Sequence, residues 1–106
     1  MSEHIFDRVK WQSMDIFSQM GNIGSEVGRA LSAKRRGDEK SMLGAYYRGL
    51  DLIDATVDGL VRQKSPRAKE VLRAREEFSE AVMTDKDDVS LETYFMQFAI
   101  AARMQR

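Results

Sequence analysis

The chain has 106 residues, 42% hydrophobic and 32% charged, with seven Gly, seven Met, one Pro and no Cys. That is the size of one domain, and the absence of cysteine excludes a disulfide scaffold, a thiolate nucleophile and any cysteine-ligated zinc or iron–sulfur site. Seventeen basic residues balance seventeen acidic ones, so the chain is neither a generally basic nucleic-acid coat nor a disordered acidic tail, and any charge signal is local.

Met1 to Lys10 is polar with charges of both signs, unlike a secretory signal, and no apolar run approaches the roughly 20 residues of a membrane span. A cytoplasmic protein without membrane contact is expected. Ala, Leu, Met, Glu, Lys and Arg are plentiful and β-branched residues are scattered, which is helical usage. Residues 1–12 lack a clear period and read as an arm or short helical turn, with Trp11 as a plug at the entrance to the core. His4, the only histidine, lies in that arm and reads as a surface imidazole; a body without histidine lacks most acid–base arrangements.

Ser13 is the expected cap of a first long helix, 13–36, in which Ile16, Met20, Ile23, Val27, Ala30 and Leu31 recur at steps of three and four. Lys34, Arg35 and Arg36 suit its carbonyl end, and Gly37 suits the position just beyond it. Asp38 caps a second helix, 38–61, with Met42, Ala45, Tyr46, Gly49, Leu52, Ile53, Thr56, Val57 and Leu60 on one face. The very short link makes these two helices antiparallel neighbours. Ser65 and Pro66 open a third, 66–83, with a stripe of Ala68, Val71, Leu72, Phe78, Ala81 and Val82, and with Arg75 bending its head to water. After a charged break, Ser90 caps a fourth, 90–105, through Leu91, Tyr94, Phe95, Phe98, Ala101 and Ala102. The expected fold of the single domain 1–106 is therefore all-α, an antiparallel up-down-up-down four-helix bundle with a short N-terminal arm.

Three features go beyond packing. Gly21, Gly24 and Gly28 share a stripe of the first helix and cost up to about 1 kcal/mol each relative to Ala; close approach of another helix is the expected reason, a shallow ligand channel the alternative. Met96, Ile100 and Met104 lie off the main stripe of the fourth helix and are expected at an oligomer interface. Six basic residues against Glu70 between Arg62 and Arg75, then seven acids against Lys86 between Glu76 and Glu92, segregate charge along the chain. In an up-down bundle Arg62, Lys64 and Arg67 join Arg8, Lys10, Arg103 and Arg106 at one pole, a candidate phosphate-binding surface for nucleic acid, while Asp85, Asp87 and Asp88 lie at the other.

Asp51 and Asp54 share a face of the second helix, as do Asp54 and Asp58, and Glu26 on the facing helix would complete a hard-ligand cluster for Mg²⁺; ion pairing with Arg29 and Arg48 is the competing reading. This pattern resembles the all-α nucleotide pyrophosphohydrolases of the MazG type, which carry a glutamate pair three apart on one helix and an acidic pair three apart on the next. The matching positions are Glu26 with Arg29 and Asp51 with Asp54, so a cation stands where that family has a ligand, and the resemblance implies a degenerate metal-dependent hydrolase using Glu26, Asp51 and Asp54.

The run Trp11-Gln12-Ser13-Met14-Asp15-Ile16, followed by Asn22-Ile23 and a small-residue stretch, resembles the small bacterial four-helix-bundle family encoded in intervening sequences of ribosomal RNA genes, with its related retroelement accessory proteins. That resemblance implies a bundle that forms ring-like oligomers and carries over no catalytic residue. The leading expectation is a non-enzymatic, self-associating scaffold without metal or cofactor. Its expected partners are further copies of the chain or another protein, with nucleic acid as a third option and the pyrophosphohydrolase as the alternative.

Overall fold

A computed structural model of the protein describes residues 7–86 and 89–104; His4, Asp87, Asp88 and Arg106 lie outside the described residues. Among the described residues the fold is all-α, with five helices rather than four: α1 (Arg8–Ser13), α2 (Ile16–Arg35), α3 (Glu39–Arg62), α4 (Arg67–Met83) and α5 (Val89–Met104).

The extra helix is the second half of the expected arm. Asp7 caps it by accepting the Lys10 N–H at 3.1 Å. Six residues are too few to show a period, and tertiary bonds hold this turn instead. Trp11 is buried and its indole N–H donates to Thr56 Oγ1 at 2.9 Å, while Gln12 Nε2 donates to the Ala55 carbonyl at 2.7 Å. Gln12 lies so close over α3 that a Cβ at Gly59 would collide with its Oε1. Ser13 therefore closes α1 instead of opening α2. The cap of α2 is Asp15, which accepts from the Ser18 N–H at 2.9 Å, and that backbone bond foremost holds the Asp15 carboxyl below its usual range.

The α2–α3 link follows the expected chemistry. Asp38 N–H reaches the Ala33 carbonyl and Gly37 N–H the Lys34 carbonyl, a paired closure that requires the left-handed φ of +75° at Gly37. Asp38 then accepts from the Ser41 N–H at 3.1 Å. The end of α3 repeats the closure, with Ser65 bonded to Leu60 and Lys64 to Val61, but there the left-handed residue is Lys64, at φ 56°. The α4 helix proper begins at Arg67 after Pro66, and Ser65 Oγ accepts the Arg67 N–H at 3.2 Å.

The core gathers Met20, Ile23, Val27 and Leu31 of α2, Ile53 and Leu60 of α3, Val71, Phe78 and Val82 of α4, and Leu91, Phe95 and Phe98 of α5. Helix α2 packs against both α3 and α5, α3 against α4, and α1 against α3. One stripe assignment and one cap assignment change. Leu72 is 44% exposed, because the buried row of α4 runs Val71, Ala74, Phe78, Ala81 and Leu72 stands one residue, about 100° of helical turn, from it. Ser90 lies inside the first turn of α5, which includes Val89.

Lys34 closes the opposite end of the molecule in an unexpected way. Its ammonium donates to the Ala81 and Thr84 carbonyls, so the cation caps the carbonyl end of α4 and not only that of its own helix. Because a side chain at the Lys64 backbone conformation is strained and glycine is not, Lys64→Gly should stabilise the fold by about 1 kcal/mol. Chemical denaturation measures this; an unchanged or lower unfolding free energy would contradict the account of the α3 terminus.

Candidate functional site

The polar faces of α2, α3 and α4 resolve into ion pairs. Glu26, only 13% exposed at its side chain, accepts from Arg48 Nε at 3.0 Å and Nη2 at 3.3 Å, and Arg29 Nη1 stands 3.3 Å from it one turn along α2. Asp54 is held by Arg75 of α4, Nε at 2.8 Å and Nη2 at 3.4 Å. The expected excursion of Arg75 to water thus ends on a carboxylate of α3, and that bond raises its already high pKa further. Asp51 is exposed. Each of Glu26 and Asp54 is engaged by a guanidinium, and among the described residues no three carboxylates or imidazoles gather as a metal-ligand set.

The basic residues at the α3–α4 junction have local duties. Arg62 stands 3.6 Å from Asp58. Arg67 stands 3.5 Å from Glu70 and lies 5.6 Å over the Phe98 ring. Lys64 supplies the left-handed closure of α3. Glu70 also accepts the Tyr94 hydroxyl at 2.5 Å; burial first, then that carboxylate, push the Tyr94 phenol above its usual range. This junction is a knot tying α4 to α5 as much as a surface.

The three glycines of α2 separate. A Cβ on Gly24 would meet Phe95 Cβ at 2.7 Å, and one on Gly21 would meet Ala99 Cα at 3.3 Å, so these two admit the backbone of α5. Gly28 does not share that role: nothing lies within 4 Å of its Cβ position. The packing expected at Gly28 is replaced by open space, where Gly28 borders a small groove together with Gly21, Gly24, Phe95 and Met96.

Gly28 also borders a groove between α2 and the start of α3, about 1020 Å³ in volume. Its lining is Ser25, Gly28, Arg29, Ser32 and Arg36 from α2 and its cap, and Lys40, Ser41, Gly44, Ala45 and Arg48 from α3. Four cations and three hydroxyls line it without a carboxylate. Arg36, Lys40, Ser41 and Gly44 had no functional signal in the sequence beyond the cations bracketing the Gly37 turn. Among the described residues no buried side-chain nitrogen or oxygen lacks a hydrogen-bond partner. A second exposed feature is the apolar outer face of α5.

That outer face carries Met96 at 59% exposure, Ile100 at 43% and Met104 at 81%, with Val89 exposed on the same helix. The opposite side of α5 buries Leu91, Phe95 and Phe98. No helix of the described residues is long and apolar enough to cross a membrane.

Comparison with family models, curated proteins and solved structures finds no match for the chain.

The glycine assignment separates two substitutions of identical chemistry. Gly24→Ala should destabilise the fold by about 1–3 kcal/mol through overpacking against Phe95, whereas Gly28→Ala should stabilise it by about 0.5–1 kcal/mol because helix propensity improves at no steric cost. Equal effects of the two on the thermal midpoint would show that α5 does not cross at Gly24.

Proposed function

We propose that the protein is a non-enzymatic, self-associating interaction module of the cytoplasm. In this reading α2 to α5 form an antiparallel up-down-up-down bundle latched by α1, and copies of the chain meet through the outer face of α5. The observation that carries it is the row of Met96, Ile100 and Met104, exposed on a helix whose other side is already buried.

Full burial of such a side chain contributes about 1.5–3 kcal/mol. Three per copy, doubled in a symmetric pair, are of the same order as the roughly 4–15 kcal/mol that association costs. Steps of four residues from Met96 to Ile100 to Met104 give a stripe that pairs with itself about a two-fold axis, so one surface serves both partners. The flexible methionine side chains fit an imperfect groove readily. The three positions are themselves uncharged, with the exposed Arg103 at the margin of the row, so a second copy covers the face without requiring an acidic partner. The resemblance of the Trp11–Ile16 run to ring-forming bundle proteins supports the same reading.

Light scattering coupled to size exclusion tests it. The wild type should show a mass at least twice the 12.1 kDa of one chain at high micromolar concentration, and Met96→Glu with Ile100→Glu should return it to a monomer with unchanged helicity. A strictly monomeric wild type across that range, or a double variant that still assembles, would overturn the proposal.

A further inference from the structure

We infer that the groove between α2 and α3 is a binding site for a small ligand carrying two or three linked phosphate groups. The first support is the chemistry of the walls. Arg29, Arg36, Lys40 and Arg48 line the groove together with hydroxyl side chains, and no carboxylate joins them. The acids nearest in sequence lie at its margin: Glu26 holds Arg48 and Arg29, Asp38 caps α3 through Ser41 and stands 3.7 Å from Arg36, and Glu39 is exposed beside Lys40.

The second support is that Arg48 is already posed. Its Nε and Nη2 are fixed on Glu26, and its Nη1 lies over Gly44, 3.4 Å from where a Cβ would stand. One edge of the guanidinium is thus committed to the protein, while the Nη1 end lies over the groove floor. A guanidinium oriented in advance loses less entropy when it meets a phosphate oxygen. Lys40 forms no ion pair or hydrogen bond among the described residues and is exposed, so its ammonium is available as a mobile second cation.

The third support is the floor itself. Gly28 carries a helix-propensity cost with nothing within 4 Å to justify it by packing, and Gly44 faces only Arg48. A side chain at either position would rise into the groove. Size then selects the ligand. Arg29 to Arg36 spans about 10 Å of axial rise and Lys40 to Arg48 about 12 Å, a reach that suits a short phosphate chain. An extended nucleic acid would need cations continued along a much longer track, and the chain as a whole is neutral.

Titration calorimetry with inorganic tripolyphosphate at low salt, paired with amide NMR on the full chain, decides the matter. Tripolyphosphate should bind, weaken with added salt, and shift the amides of Gly28, Lys40 and Gly44. Lys40→Glu combined with Arg36→Glu should weaken binding by about ten-fold or more. Gly28→Leu should abolish it while the thermal midpoint stays at or above that of the wild type, which separates a filled groove from a failed fold. Arg62→Glu, at the far end of α3, should leave affinity unchanged. Silence at millimolar tripolyphosphate, shifts that map to Arg62, Lys64 and Arg67, or tighter binding of a single-stranded oligonucleotide than of tripolyphosphate would each overturn the inference.

Discussion

The approach of α5 to α2 through missing side chains governs the rest of the molecule. At Gly24 the backbone of α2 comes close enough to Phe95 that even a methyl group would not fit, and Gly21 receives Ala99 in the same way. The order of these contacts, with rising numbers on α2 against falling numbers on α5, sets the two helices antiparallel at their crossing. It also fixes the rotation of α5. With Leu91, Phe95 and Phe98 turned inward, Met96, Ile100 and Met104 stay exposed among the described residues. Helical glycines are costly, and at Gly21 and Gly24 close packing offsets that cost.

Charge does the fastening between the remaining faces. Glu26 with Arg48 joins α2 to α3, Asp54 with Arg75 joins α3 to α4, and Arg35 with Glu92, at 2.6 Å, joins α2 to α5. Such pairs are partly exposed, so each contributes modestly to stability; their larger consequence is chemical. They engage Glu26 and Asp54, two of the three carboxylates considered as metal ligands, and the α2–α3 groove is lined by cations. The composition is neutral overall, yet pairing across helices distributes the charge unevenly over the surface.

Much of this was legible in the sequence and some was not, for identifiable reasons. Gly37, Asp38 and the Ser65-Pro66 pair act through local backbone chemistry, so their roles follow from residue type and order. The core positions of α2 follow from period alone. By contrast α1 is a single turn and a half held by Trp11 and Gln12 against α3, and no pattern within six residues announces contacts more than forty residues away. Leu72 was misplaced because Ala74, a small residue, takes the buried position in the row. The partners of Glu26, Asp54 and Arg75 depend on the relative rotation of three helices, which periodicity leaves free. Gly28 shares a stripe with Gly21 and Gly24, but only tertiary packing decides that no atom comes within 4 Å of its Cβ position.

The account depends most on whether α5 presents its Met96–Met104 row to another copy. The native chain has no cysteine, so Gln97→Cys, an exposed position beside that row, can carry a single spin label without rearranging the interface. Electron–electron dipolar spectroscopy on this sample should give a short, well-defined distance between labels on different copies, lost on dilution with unlabelled protein. A signal no stronger than that of dispersed molecules, at a concentration where the protein is fully folded, would contradict it.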